Sequence, residues 1–300
     1  ILSIFIDFSM AKTAAIFACE LSKKEKNDKV FFVTFAAVIM LPTVILNSAY
    51  WGQCDSIYTT FIILTLLYLY REKYHRAFMF LGIAFAFKMQ TIFIFPFIIC
   101  FYIYKKQFSI FELLITVFTF WISGIGAFVQ GRSLLDPFRI YANQTGTYQY
   151  MHVNFPSFWM FVGNDYEWLK TAAIVMAAGI CGMGLYIIMK RKLDCSRPEN
   201  FVSIASWFIW TCVLFLPAMH ERYAYPLEIL LVILTCINKD YLKYSSVAIL
   251  FSLFTYGNYL FSNGGLDKYI VIIYAGCYLH FTYTILKKNS KTATVTDKEM

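Results

Sequence analysis

Long apolar runs, separated by short polar stretches, repeat along the whole chain. A helix that crosses a bilayer needs about 20 mostly apolar residues, and windows of that kind predict about eleven membrane-embedded helices. Three of them, 77–88, 91–104 and 224–237, are short enough to be tilted, broken or partly re-entrant, which is tolerated where backbone lines a cavity. The predicted segments are 1–19, 30–46, 55–70, 77–88, 91–104, 108–130, 168–189, 201–217, 224–237, 244–261 and 268–286.

The composition agrees with a chain that is dissolved in lipid. Hydrophobic residues make up 59% of the 300 residues, charged residues make up 15%, and the mean hydropathy is +0.59. A soluble domain carries about a quarter charged residues, so this chain has too little polar surface for water. We therefore predict an all-α, polytopic transmembrane helical bundle that is formed by residues 1–286 and followed by a tail at 287–300.

The basic residues predict the orientation of the bundle. Nineteen of the 26 lysines and arginines fall in alternate short loops and in the C-terminal tail, and six fall in the opposite loops. Because cytoplasmic loops are enriched in lysine and arginine, we predict a multi-pass membrane protein with a cytoplasmic C-terminus. This topology explains the net charge of +8, and no nucleic-acid partner is expected.

The longest loop, 131–167, falls on the predicted outward side. It mixes tyrosine, phenylalanine and tryptophan with asparagine, glutamine and threonine. Aromatic faces together with amides suit the binding of sugars. The same mixture also fits an ordinary loop that its aromatic residues anchor at the membrane surface, and both interpretations stay open.

The outward side carries three short polar strings. The first one, Trp51-Gly52-Gln53-Cys54-Asp55, precedes an apolar run. Asp55 could take a proton from a hydroxyl, orient a substrate or help to bind a divalent cation. It could also begin a helix as its N-cap, and this role is compatible with a chemical one.

The second string, Phe87-Lys88-Met89-Gln90, lies between two apolar stretches. A single lysine in apolar sequence is costly without an anionic partner, and a phosphate is a natural one. The alternative is a lysine whose ammonium group reaches the membrane surface at the end of its aliphatic stem.

The third string is the least generic in the chain. It places His220, Glu221 and Arg222 in consecutive positions between two apolar runs, with Tyr223 next. Arginine can hold phosphate oxygens in a bidentate manner, and histidine can donate a hydrogen bond or carry a proton. The alternative is a polar turn in which Glu221 and Arg222 pair with each other.

Four strings spread over most of the chain are informative together. They are NSAYWGQCDSIY (47–58), FAFKMQTIFIFP (85–96), VNFPSFW (153–159) and PAMHERYAYP (217–226). In this order they resemble bacterial relatives of the second GPI mannosyltransferase, a family in the GT-C class of polytopic membrane glycosyltransferases. The first and the last string are the more specific ones.

The resemblance implies a GT-C-like fold and a glycosyltransferase. Such an enzyme passes a hexose, such as mannose, from a polyprenyl-phosphate sugar to a lipid-linked or cell-envelope glycan on the extracytoplasmic face. The resemblance implies a donor phosphate bound by Lys88, His220 and Arg222, and the bacterial character of the strings favours the plasma membrane. Asp55 is the catalytic candidate because it is an outward-facing acid in one of the strings. The resemblance also implies that the sugar or the acceptor is bound by Trp51, Gln53, Gln90, Glu221 and Tyr223. No cofactor and no metal ligand are expected, and a divalent cation is left open.

The beginning of the chain departs from the family's pattern. The apolar run that starts at Ile1 resembles a later helix of the family. We therefore expect that the first outward loop, with its usual catalytic acid, is missing from this chain. Asp7 and Lys12 share the first run and could pair with each other.

Two other classes of protein stay open. One is a transporter or flippase for polyprenyl-linked glycans, which places ionisable residues within membrane helices, as Asp7 and Lys12 are in the sequence. The other is a non-catalytic membrane subunit. Glycine-rich nucleotide-binding, serine-hydrolase and zinc-protease motifs are absent from the sequence, and the eight cysteines lack the spacing of metal or disulfide sites.

Overall fold

The computed structural model describes residues 2–25, 28–144, 147–261 and 268–296, with side chains up to residue 288. Over these residues the chain is helical, and strand pairing is limited to an isolated bridge between His152 and Met219. The prediction of an all-α chain is therefore confirmed for the part that the structure describes. The chain divides into two compact units, Ile1–Tyr150 and Met151–Met300.

Among the described helices, three are long and apolar enough to cross a membrane, namely Leu2–Leu21, Tyr166–Lys190 and Lys268–Lys288. A fourth span results if Lys29–Ile39 and Pro42–Tyr50 are counted as one despite their bend of 48°. Other apolar helices have 10–17 residues, which is short of the roughly 20 that a bilayer requires. These helices indicate a membrane protein, and the larger number of membrane segments stays a prediction.

The first unit is a bundle of helices around one central helix. Its α-helices are α1 (Leu2–Leu21), α2 (Lys29–Ile39), α3 (Pro42–Ile45), α4 (Asp55–Tyr70), α5 (Tyr74–Phe87), α6 (Phe95–Lys105), α7 (Glu112–Ile122), α8 (Ile125–Val129) and α9 (Asp136–Gln144). Helix α4 packs against α1 and α5, while α1 also packs against α2 and α5 against α7. Most side chains of α4 are buried, as expected for an apolar helix that has neighbours on several sides.

The predicted span 30–46 is interrupted in the structure. Helix α2 ends at Ile39, and α3 begins at Pro42, because proline is tolerated in the first turn of a helix but not in its interior. The chain then continues as a five-residue π-helix, Leu46–Tyr50. Short π-helical segments of this kind are frequent at functional sites.

The predicted short segments around Lys88 are broken, as expected. Helix α5 ends at Phe87, Lys88 has extended backbone (φ −156°, ψ 132°), and a 3-10 helix, Met89–Ile94, leads into α6. The lysine therefore lies at the end of a helix and not within a continuous span. The predicted segment 108–130 is also divided, since α7 and α8 are separated at Ser123 and Gly124.

The second unit is built around two buried helices. Its α-helices are α10 (Tyr166–Lys190), α11 (Pro198–Phe215), α12 (Tyr225–Ile237), α13 (Leu242–Phe261) and α14 (Lys268–Thr296). Every side chain is buried over residues 200–214 of α11 and 225–234 of α12. Helix α11 packs against α10, α12 and α14, and α13 packs against α12 and α14.

The predicted outward loop 131–167 contains helix α9 and the boundary between the two units. The structure thus divides the predicted domain 1–286 between two compact bodies. The predicted tail 287–300 begins within α14, which continues to Thr296. Residues 297–300 of the predicted tail lie outside the described residues.

Candidate functional site

Asp55 begins helix α4 and is completely buried in the first unit. The side-chain amide of Asn47 donates from Nδ2 to Oδ2 of Asp55 at 2.8 Å, and the ammonium of Lys88 forms an ion pair with Oδ1. A buried carboxylate is costly unless it is paired and hydrogen-bonded, and both conditions are met. The N-cap position belongs to Cys54, whose side chain makes no capping bond, so Asp55 lies one position past the cap.

Lys88 reaches Asp55 from the end of α5. Its side chain is 16% exposed, and its Nζ also lies 5.4 Å from the ring centroid of Tyr58, one turn into α4. An ammonium above an aromatic face gains a cation–π attraction. The protein itself thus supplies the anionic partner that this lysine requires, and a phosphate would have to share Lys88 with Asp55.

The π-helix connects Asp55 with a second buried acid. Its Asn47 contacts Asp55, and the hydroxyl of the adjacent Ser48 donates to Oδ1 of Asp7 at 2.8 Å. Asp7 belongs to α1 and is 4% exposed, whereas Lys12 is exposed on the same helix. The expected pair of Asp7 with Lys12 is therefore replaced by a hydrogen bond to Ser48. Neighbouring side chains of the π-helix therefore donate hydrogen bonds to two buried carboxylates, those of Asp55 and Asp7.

The predicted sugar- or acceptor-binding residues of the first unit lie on segments that flank the ion pair. Trp51 and Gln53 are half-buried in the turn that leads from the π-helix into α4. Gly52 between them has a φ of +72°, a conformation that glycine adopts without the steric cost that a side chain would bring. Gln90 is half-buried in the 3-10 helix that follows α5.

The third string forms a buried turn between α11 and α12. Glu221 is completely buried, and its Oε1 accepts a hydrogen bond from Nη1 of Arg222 at 2.6 Å. The Nδ1 of His220 lies 3.8 Å from the other carboxylate oxygen, and the ring of Tyr223 packs on His220 with centroids 5.0 Å apart. The Oγ1 of Thr255 in α13 donates to the backbone carbonyl of Glu221 at 3.3 Å. The pairing of Glu221 with Arg222, an open alternative in the sequence, is present in the structure.

Two of the four family-like strings, 153–159 and 217–226, meet in this unit. The backbone N–H of Val153 donates to the carbonyl of Met219 at 3.0 Å, and the N–H of Ala218 donates to the carbonyl of Met151 at 3.1 Å. In the first unit, the other two strings meet through the aspartate–lysine ion pair. Each unit therefore brings two of the strings into contact.

His152 lies at the isolated bridge and is half-buried. Burial lowers the pKa of its imidazole below the ordinary value, because desolvation disfavours the charged form. The neutral imidazole is therefore favoured at physiological pH. This residue was not among the predicted site residues.

The structure adds Asn47, Ser48 and Asp7 to the predicted site residues of the first unit. Asn47 and Ser48 belong to the string NSAYWGQCDSIY, and Asp7 is an acid in an apolar run, where it needs a polar partner. All three residues therefore had a signal in the sequence. The contacts themselves join residues that are 8 and 41 positions apart, which no helical spacing reveals. The predicted phosphate-binding set is divided, with Lys88 in the first unit and the histidine and arginine in the second.

The two clusters offer different chemistry. The first one holds a buried carboxylate that can accept a proton, next to an ammonium that can stabilise negative charge. The second one holds an imidazole and a guanidinium against one carboxylate, and both groups can donate to anionic oxygen atoms. Within the described ranges, no group of three or more His, Cys, Asp and Glu side chains is arranged to hold a metal ion.

No protein-family model matches this chain, and no match is found among curated proteins. The resemblance to the GT-C class therefore rests on the four strings alone. The grouping of these strings into two buried polar clusters is the structural observation that bears on function.

Proposed function

We propose that this protein is an integral membrane glycosyltransferase. It moves a hexose, such as mannose, from a polyprenyl-phosphate sugar to a lipid-linked or cell-envelope glycan acceptor on the extracytoplasmic face. The observation that carries the proposal is the buried carboxylate of Asp55, which Asn47 and Lys88 hold at the start of α4. The four strings supply the substrate class, and the long apolar helices support a location in the membrane.

Asp55 is the general base of the proposed reaction. Its carboxylate takes the proton of an acceptor hydroxyl while the hydroxyl oxygen attacks the anomeric carbon of the donor sugar. The bond between that carbon and the phosphate oxygen breaks, and the electron pair leaves with the lipid phosphate. Asn47 and Lys88 fix the orientation of the carboxylate, which a base needs to be effective.

The departing lipid phosphate gains negative charge, so donors that face it lower the barrier. The sequence predicts His220 and Arg222 as ligands of this phosphate, and that role stays a prediction. Glu221 was predicted to contact the sugar or the acceptor, but its carboxylate is occupied by Arg222 and lies near His220. In the proposal it therefore positions the two phosphate ligands.

The test uses the complete gene product in detergent, with labelled polyprenyl-phosphate hexoses and a crude membrane fraction as the acceptor. The readout is loss of label from the donor lipid. Asp55→Asn is expected to reduce transfer about 100- to 10,000-fold, the usual contribution of a general base. Arg222→Ala is expected to reduce it about 100- to 1000-fold. Glu72→Gln changes an exposed carboxylate of the same unit and is expected to keep full activity.

Full transfer by a folded Asp55→Asn variant would remove Asp55 as the base. If the folded wild-type protein consumes no donor, the result favours the second candidate function, that of a transporter or flippase of polyprenyl-linked glycans. The buried Asp7 of α1 favours that candidate, because ionisable residues inside apolar helices mark transport pathways. A flippase would move a labelled lipid across proteoliposomes without forming a glycosidic bond, and a non-catalytic subunit would do neither.

A further inference from the structure

A cavity of about 670 Å³ opens in the first unit beside α7, α8 and α9. Phe120 and Phe128 supply an aromatic wall, while Arg132, Asp136 and Arg139 supply a charged one. Sites for small molecules typically have volumes of about 300–1000 Å³ and combine apolar surface with a few polar groups. This cavity fits that description, and its residues belong to none of the clusters described above.

The charged wall carries one net positive charge. Asp136 pairs with Arg139, with 3.6 Å between Oδ1 and Nη1, and it also accepts from the backbone N–H of Ser133 at 3.2 Å. Arg132 is exposed and takes part in no ion pair with any residue that the structure describes. Two guanidinium groups and one carboxylate favour a ligand that has a single negative charge and several acceptor oxygens.

The cavity extends to the end of α5 that carries Lys88. Ala86, two residues before Lys88, is part of its wall. Tyr141 of α9 donates its hydroxyl to the backbone carbonyl of Phe85, and its ring stacks on Phe120 with centroids 5.3 Å apart. Burial raises the pKa of Tyr141 to about 12, so this hydroxyl stays a donor at physiological pH. Helix α9 is thereby fixed to the segment that supplies Lys88.

Large apolar side chains are exposed at the start of α9 and just before it. Leu134, Leu135 and Phe138 are exposed. Exposed large apolar side chains beside a polar cavity suit contact with a hydrocarbon chain. The features together favour a ligand with a singly charged head and an apolar tail.

We propose that this cavity binds the head group of an intact lipid-linked sugar, with its phosphodiester at Arg132 and Arg139 and its sugar ring against Phe120 and Phe128. The inference rests on the proposed function, which supplies the ligand class. An intact polyprenyl-phosphate hexose contains one phosphodiester with one negative charge, which matches the net charge of the wall. Lys88 of the same unit is engaged by Asp55, whereas Arg132 is exposed and is therefore accessible to this charge.

The test is isothermal titration calorimetry of the complete protein in detergent with three probes. They are a short-chain prenyl phosphate mannose, the prenyl mannoside without phosphate, and inorganic phosphate. The first probe is expected to bind at least about tenfold more tightly than the other two, since a hydrogen bond to a charged group is worth that much. Arg132→Gln and Arg139→Gln are each expected to weaken its binding by about the same factor. Arg76→Gln, an exposed arginine outside the cavity, is the control and is expected to bind as the wild type does.

Equally tight binding of inorganic phosphate would assign the cavity to a free anion and overturn the inference. Equal binding of the uncharged mannoside, or unchanged binding in both variants of the cavity arginines, would overturn it as well. This binding site and the proposed function can fail independently of each other. A protein that binds the probe but transfers no hexose loses the proposed function and keeps this site. Transfer with an unchanged KM for the donor in both variants removes only this site.

Discussion

At the scale of single residues, Asp55 and Lys88 join two charges that have little access to water. Asp55 is completely buried, and the side chain of Lys88 is 16% exposed. Removing one partner of a buried pair leaves the other charge without compensation, which typically costs about 3–5 kcal/mol. We expect Lys88→Met to lower the stability by an amount of this order, measured as thermal unfolding in detergent. Adding Asp55→Asn removes both charges and is expected to recover most of the loss.

The matched control is Lys170→Met. Lys170 also pairs with a carboxylate, that of Glu167 at 2.8 Å, but the two side chains are 36% and 68% exposed, and solvent-accessible ion pairs contribute little. Its unfolding temperature is expected to stay at the wild-type value. Equal losses of stability in the two lysine variants, or no recovery of stability in the double variant, would show that an uncompensated buried charge is not the cause.

His152 makes the stability of the second unit depend on pH. Burial lowers the pKa of its imidazole in the folded chain, whereas in the unfolded chain it titrates near the ordinary value of about 6.5. The unfolded chain therefore binds the proton more readily, so stability is full above about pH 6.5 and declines as the pH falls toward the folded value. We expect the unfolding temperature to decrease between about pH 7.5 and pH 5.

The His152→Gln variant tests whether this residue causes the decrease. At pH 7.5 it is expected to unfold at the wild-type temperature, because the imidazole is neutral there. At pH 5 it is expected to unfold at a higher temperature than the wild type, since it takes up no proton at this position. Identical pH profiles for the two proteins would assign the acid sensitivity to other groups.

At the scale of helices, the close approach of α5 and α7 depends on Gly82. A Cβ atom added there would lie 2.5 Å from the backbone oxygen of Thr116 and 2.7 Å from the Cβ of Thr119. The hydroxyl of Thr116 also donates to the backbone carbonyl of Phe78 at 2.9 Å, which fixes the two helices at this distance. Gly82→Ala is therefore expected to lower the stability by about 1–3 kcal/mol, as other overpacked sites do.

The comparison variant is Gly179→Ala in α10, where an added Cβ would meet nothing within 4 Å. Alanine favours a helix over glycine by about 1 kcal/mol, so this variant is expected to match or slightly exceed the wild type in thermal unfolding. A Gly82→Ala protein that is equally stable would mean that α5 and α7 can separate without cost.

The positions of the helices could be predicted because the length of an apolar run is a local property of the sequence. The predicted segments 55–70 and 224–237 correspond to α4 and α12 within a residue. The break in the predicted span 30–46 was missed because Pro42 interrupts the backbone but not the hydropathy. The π-helix that follows is a pattern of hydrogen bonds, and apolar content does not encode it.

The candidate site could be predicted only in part. Asp55 and Lys88 stood out because a charge in apolar sequence is costly and therefore conspicuous. Their mutual contact could not be derived, since they are 33 positions apart, one at the start of α4 and the other just past the end of α5. Asn47 and Ser48 are small neutral residues, and their role depends on the π-helix that presents them to two acids.

At the scale of the whole molecule, the alternation of basic residues between loops predicts that the turn before α4 faces outward. Cys54 lies in this turn and is exposed, whereas the other cysteines are buried or half-buried. The chain therefore contains a natural reporter of its own orientation. We expect a membrane-impermeant maleimide to label the protein in intact cells, and we expect Cys54→Ser to remove that label.

A second reporter checks the opposite side. Lys192 is exposed in the turn between α10 and α11, which is predicted to be cytoplasmic. In a Cys54→Ser background, Lys192→Cys is expected to react only after the cells are permeabilised. The reverse pattern would place Asp55 and Lys88 toward the cytoplasm. That result would exclude transfer on the extracytoplasmic face, although the helices, the ion pair and the cavity would remain as described, and the donor site would then have to be sought on the inner side of the membrane.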